Sequence, residues 1–259
     1  MSAPKSAKTA SSPRTPLILF ISDLHLCPQA PGVTRHFLDF LGGRARAAEQ
    51  LFILGDLFDV WPGDDCLDDP EDRFNVGIVD ALHSLSKTGV AVSLMHGNRD
   101  FLLGDEFAAR SGLRLLPDPY VLSLPAWQFV LSHGDALCTD DLDYQRFRAQ
   151  VRDPTWRNAF LGKPLAERKA IAAALRQQSN SSKRAKAPYL MDVNPGATED
   201  FLRENGYASL IHGHTHRPAK HDHIVDGIHV ERWVMAEWHE DRGECLCWDG
   251  ESLSREVLV

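Results

Sequence analysis

Five short apolar runs, each ending in side chains able to bind a metal, constrain this chain more than any other feature. They are LILFIS (17–22), LFIL (51–54), VAVSLM (90–95), WQFVLS (127–132) and ASLI (208–211). They are apolar throughout and do not alternate, the pattern of strands buried on both faces. Helical periodicity separates several of them, as in TRHFLDFLGGRARAA and FNVGIVDALHSLS. Strand, helix, strand in sequence implies parallel pairing and an α/β layer. The C-terminal runs HVERWVMAEW, ECLCW and LSREVLV lie closer together and read as antiparallel strands. One or two sheets covered by helices is the expected architecture.

The runs end in Asp23-Leu-His25, Gly55-Asp56, Gly97-Asn98-Arg99-Asp100, His133-Gly134-Asp135 and His212-Gly-His214-Thr-His216. In open α/β sheets, ligands bind at the carboxyl ends of strands. Residues two apart in an extended segment point the same way, so Asp23/His25 and His214/His216 can each grip one ion. Gly at 55, 97, 134 and 213 lets the backbone turn tightly there. The donors are imidazole nitrogens with carboxylate and amide oxygens, without thiolate, which favours Mn²⁺, Fe²⁺ or Zn²⁺. Asp23, His25, Asp56, Asn98, His133, His214 and His216 are too many for one tetrahedral site. Two divalent ions sharing a carboxylate use them well. The other histidines (36, 83, 96, 221, 223, 229, 239) read as structural or exposed, Cys27 as packing, and DDCLDDPED (64–72) as a solvated loop.

Composition narrows the partners. A net charge of −8 and a pI near 5.8 argue against a nucleic-acid partner. The apolar runs are strand-sized, far short of the ~18–20 residues of a membrane span. Residues 1–15 have the low hydrophobicity of a disordered tail and lack the apolar stretch of a signal peptide. Five cysteines without CxxC spacing fit reduced thiols in a cytosol. The window 142–190 differs: 11 Lys and Arg stand against three acids, a net +8 that leaves −16 on the rest of the chain. Phe147, Trp156, Phe160 and Leu161 lie in the same window. A solvated helical pair is the plain reading. The one-sided charge favours a basic, partly apolar helical cap over about 140–200, within a domain spanning 16–259.

In this order the motifs DxH, GD, GN, H and GHxH resemble the calcineurin-like metallophosphoesterases. That resemblance implies a two-sheet sandwich flanked by helices, with the helical insertion over the active site. It implies two metal ions, Mn²⁺ by preference, bridged by Asp56. Asp23, His25 and His216 go to one ion, and Asn98, His133 and His214 to the other. The longer stretches GDLFDVWPGDD, HGNRDFLLG, HGDALCTDD-x-x-YQxFR, LMDVN and IHGHTHRP are similar to the UDP-2,3-diacylglucosamine diphosphatase family of lipid A synthesis. In that family acyl chains lie under the insertion.

The implied reaction is hydrolysis of the pyrophosphate of UDP-2,3-diacylglucosamine to UMP and 2,3-diacylglucosamine 1-phosphate, with metal-activated water attacking the α phosphorus. Most of the superfamily carries His where this chain has Arg99. A pyrophosphate expels a phosphate monoester, whose last pKa is near ~6, so positive charge serves better than a general acid. Asp56, Asn98, Arg99 and His133 form the expected catalytic set. Substrate contacts are expected at Asn98, Arg99, Asp141, Ser179, Lys183, Lys186 and His214. Lys183 stands where relatives can carry Asn, and as a point charge it can meet a phosphate. The lipid-linked UDP-sugar places the expected enzyme, a monomer, on the cytoplasmic face of the inner membrane as a peripheral protein. Two rivals remain: a pyrophosphatase of the same fold for soluble nucleotide diphosphates, and a non-catalytic scaffold.

Overall fold

The first apolar run forms β1 (Ile18–Ile21), and the next two form β2 (Gln50–Ile53) and β3 (Ala91–Met95), all three parallel in one sheet. In the computed structural model the described residues are 16–125, 127–185 and 188–259, without the side chains of 178–185 and 188–189. The tail expected over 1–15 lies outside them. The sheet is completed by β4 (Arg114–Leu116) on one side and by β10 (Glu244–Trp248) and β11 (Leu253–Val257) on the other, in the order β11-β10-β1-β2-β3-β4. The last two runs thus pair antiparallel as expected, β10 directly against β1.

A second sheet holds β5 (Tyr120–Leu124), β6 (Trp127–Ser132), β7 (Ser209–His212), β8 (Ala219–Val225) and β9 (Ile228–Val234), ordered β5-β6-β7-β9-β8. Here the expectation needs correction. The HVERWVMAEW run becomes β9, which pairs parallel to β7 and antiparallel only to β8.

Alternate residues of each central strand face different layers. Ile18, Phe20, Phe52 and Met95 meet Phe129, Leu131 and Ile211 between the sheets. Phe20 stacks on Phe52 with ring centres 5.5 Å apart and meets the edge of Phe129 at 6.1 Å. The other faces, Leu19, Ile21, Leu51, Ile53 and Leu94, pack against α1 (Pro31–Gly42) and α2 (Arg73–Ser86). α3 (Asp105–Ser111) follows the β3 loop, and α7 (Pro195–Glu204) buries Leu202 against Val130 and Leu210 on the outer face of the second sheet. Strands covered on both faces must be apolar at every position, which is why the runs were continuous.

The basic window forms α4 (Leu142–Arg152), α5 (Pro154–Leu161) and α6 (Leu165–Ala185). Asp141 caps α4 by accepting from Tyr144 N, and Asp153 caps α5 by accepting from Trp156 N. The stretch 64–72 is not the solvated loop expected. Residues 64–68 form a 3₁₀ turn in which Asp64 accepts from Trp61 Nε1, Gly104 N and Phe107 N. Asp65 pairs with Arg168, a side chain buried in α6 that also donates to Pro62 O (2.6 Å) and Lys163 O (2.9 Å). Lys169 Nζ lies 2.7 Å from Asp69 Oδ2. Much of the window's charge thus fastens these helices to the acidic body.

Candidate functional site

The seven donor side chains meet where both sheets end. Asp23 and His25 follow β1, Asp56 follows β2 and Asn98 follows β3, while His133 follows β6 and His214 and His216 follow β7. The ligand atoms of Asp23, His25 and His216 lie within 4.8 Å of one another, and so do those of Asp23, Asp56 and His133. His25 Nε2 faces His216 Nε2 at 3.4 Å, and His216 Nε2 is 3.3 Å from Asp23 Oδ1. Asn98 Oδ1 lies 3.0 Å from His133 Nε2 and 2.8 Å from His214 Nδ1. Between the groups stands Asp56, with one carboxylate oxygen 3.8 Å from His25 Nδ1 and the other 3.8 Å from His133 Nε2.

The backbone is bent to make this possible. Asp23, His25, Asp56, His214 and His216 all have positive φ, between 49° and 68°. Non-glycine residues rarely adopt this region, and such outliers gather at functional sites. Gly55 and Gly134 also turn with positive φ. Gly97 and Gly213 serve differently from the expectation: they supply space. A Cβ on Gly97 would collide with Asp56, and one on Gly213 with Ser22 and Asp23.

Asp100, next to Arg99, binds the loops together. It is fully buried and accepts from Gly97 N (2.8 Å), Leu57 N (2.8 Å) and Asp56 N (3.3 Å). Arg99 N donates to Asp56 Oδ1 at 2.8 Å, so this residue supports the Asp56 carboxylate as well as lining the cavity.

The electrostatics are those of donors packed out of water. Burial pushes the Asp23 carboxyl up, but His216, His133 and His25 overcome it and hold it below the carboxylate range. Burial lowers His25 to about 3. His216 rises to about 9, because Asp23 and Glu237 outweigh burial. Burial, aided by the charge of His133, pulls His214 well below its ordinary value. Asp23 Oδ1 and His25 Nδ1 are buried without a hydrogen-bond partner among the described residues. Converging nitrogen and oxygen donors, two of them unsatisfied, and no thiolate among them fit a divalent cation.

A cavity of about 550 Å³ opens beside the donors. It is lined by Asn98, Arg99, His214 and His216 of the donor region and by the apolar side chains of Phe101, Trp156, Phe160 and Leu175. Trp156 stacks on Phe160 with ring centres 4.9 Å apart. Asp141 lines the cavity while capping α4. The side chains of Ser179 and Lys183, and all of Lys186, lie outside the described residues.

Five further residues went unassigned in the sequence. Asp135, fully buried, accepts from Tyr144 Oη (2.6 Å), Arg148 Nε (2.9 Å) and Arg152 Nη2 (3.4 Å), tying α4 to the His133 loop. Tyr144 in turn sits 5.6 Å from the His214 ring. The HGDALCTDD-x-x-YQxFR spacing held this signal, since Tyr144 and Arg148 fall one turn apart on one helix face. Glu237 reaches His216 from a run that read only as a strand.

The sequence model of the calcineurin-like phosphoesterases matches residues 16–218. A UDP-2,3-diacylglucosamine hydrolase of Aromatoleum aromaticum is 54% identical over 90% of this chain and 93% of its own. One of Chromohalobacter salexigens is 46% identical over 87% and 90%. Among solved structures, a dimetal phosphatase from Danio rerio aligns over 95% of this chain and 99% of its own, with a TM-score of 0.46 and 11% identity.

Proposed function

The chain belongs to the calcineurin-like phosphoesterase family, and we propose that within it the chain hydrolyses the pyrophosphate of UDP-2,3-diacylglucosamine. The products are UMP and 2,3-diacylglucosamine 1-phosphate. The observation that carries this reading is the mixed lining of the cavity: phosphate-binding chemistry at Asn98, Arg99 and His214, together with apolar side chains at Phe101, Trp156, Phe160 and Leu175. The names of relatives at 54% and 46% identity agree with such a substrate.

Asp23, His25 and His216 would hold one Mn²⁺, Asn98, His133 and His214 a second, and Asp56 both. When bound, such ions polarise phosphoryl oxygens and lower the pKa of a water toward ~7. Arg99, half-buried in the cavity lining, sets a fixed positive charge against the diphosphate. Water adds to the uridine-side phosphorus, giving up a proton to solvent, and the bond from that phosphorus to the bridging oxygen breaks. That oxygen leaves with the sugar phosphate and needs no proton. Asp141, Ser179, Lys183 and Lys186 are the further substrate contacts of this reading. Helices α4 to α6 act as the cap, their aromatic residues shielding acyl chains from water.

No helix among the described residues is long and apolar enough to cross a membrane. We place the enzyme on the cytoplasmic face of the inner membrane, reached by surface contact. The test is UMP release from UDP-2,3-diacylglucosamine in detergent, with Mn²⁺ and with chelator, beside the deacylated substrate. Metal-dependent turnover of the acylated form, at least ~10-fold faster, is expected from burying the chains. Equal turnover of both forms would reject the lipid assignment and favour a soluble diphosphate.

A further inference from the structure

Beyond β9 the chain runs Met235-Ala236-Glu237-Trp238 across the donor cluster. This segment is held on both sides of Glu237. Met235 N donates to His212 O (2.8 Å) and Trp238 N to Asp23 O (3.1 Å). Trp238 is buried edge-on against Phe37 and Phe40, at 6.5 and 5.9 Å. From this fixed base Glu237 Oε2 lies 2.8 Å from His216 Nδ1, and Oε1 lies 3.7 Å from His25 Nε2. His239 is the other titratable neighbour, 3.8 Å from Oε2.

The contact decides which nitrogen of His216 is available. A carboxylate accepts only, so Nδ1 must carry the proton it donates. The nitrogen left to meet an ion is then Nε2, which faces Asp23 Oδ1 and His25 Nε2. A carboxylate behind a ligating imidazole fixes its tautomer and raises its basicity. The other group of donors is backed differently. His133 Nδ1 meets Leu54 O at 2.9 Å, a neutral backbone carbonyl.

We infer that Glu237 is a positioning residue that strengthens metal binding at Asp23, His25 and His216 and leaves the Asn98, His133 and His214 side unaffected. The inference rests on the two-ion reading above and adds an asymmetry to it: His216 is hydrogen-bonded to a full negative charge, and His133 to a carbonyl dipole.

The experiment is a Mn²⁺ titration of the metal-stripped protein, followed by calorimetry and by the spin-coupled electron paramagnetic resonance signal of a Mn²⁺ pair. Wild type, Glu237→Gln and Glu237→Ala are compared, together with their metal-free melting temperatures. Glu237→Gln keeps an acceptor for Nδ1–H and removes only the charge. Wild type is expected to take up two equivalents. Both variants should weaken one step by ~10–100-fold, the range found for outer-shell partners. The other step and the metal-free melting temperature should stay as in wild type, so the coupled signal appears only at higher Mn²⁺. Two steps unchanged in both variants would overturn the inference. So would equal weakening of both steps with a lowered melting temperature, which marks a merely structural role. A wild-type protein that binds no Mn²⁺ would reject the site reading itself, and Glu237's role with it.

Discussion

Five of the seven donor residues sit in left-handed backbone, at about 1–2 kcal/mol each for an L-residue. Such geometry persists only where neighbours over-determine it, and for Asp56 one such neighbour is Asp100. Its two oxygens hold Gly97 N, Asp56 N and Leu57 N within one buried knot. Asp100→Asn turns one acceptor into a donor facing backbone N–H groups. We expect it to lower unfolding free energy by about 2–4 kcal/mol in urea titrations and to reduce Mn²⁺ uptake. The donors themselves were legible because metal chemistry restricts residue type and spacing so narrowly. Asp100 was visible in HGNRDF but had no assignable task, since its partners are backbone amides, which carry no sequence signal. Glu237 was less legible still, being a lone carboxylate whose partner His216 is 21 residues earlier in the chain.

Among the elements, α4 and α6 show what the one-sided charge of 142–190 is for. Arg148 and Arg152 reach Asp135, Arg168 and Lys169 reach Asp65 and Asp69, and Arg176 reaches Asp59. In the sequence that charge reads as a basic cap, and a window count cannot tell a ligand from the protein's own acidic face. The hydrogen bond from Arg168 holds the Asp65 carboxyl below its ordinary value of 3.8. A carboxylate depressed in the folded state adds stability that is full above its unfolded value and is lost as pH falls through the folded one. Asp65→Asn should therefore be less stable than wild type near neutrality. The gap should close as the pH drops below 3.8, read from urea unfolding at a series of pH values. The continuous apolar strands β1, β2, β3, β6 and β7 could be seen from sequence. β8 could not: its residues alternate exposed and half-buried along AKHDHIV, and it is an edge strand covered on one side only.

At the scale of the whole molecule, the first sheet delivers Asp23, Asp56 and Asn98, and the second delivers His133, His214 and His216. The sandwich was foreseeable only through the family resemblance, because no local pattern says which strands share a sheet. Ions held jointly bind the folded state and not the unfolded one. Mn²⁺ at 100 times its dissociation constant should add about 2.7 kcal/mol, raising the melting temperature by roughly 5–10 °C. Chelator should reverse the shift in a thermal scan, and an unchanged melting temperature would mean the donors are not shared by an ion. The placement of donors on both sides of the inter-sheet seam also makes them a gauge of assembly. Shifting either sheet by one pleat turns every side chain of a strand to the opposite face. Such a misaligned sandwich could keep much of its greasy interior, yet its donors would no longer share a focus. Catalysis is then a proofreader of the fold: a molecule that turns over substrate has, by that act, reported that its two halves closed in register.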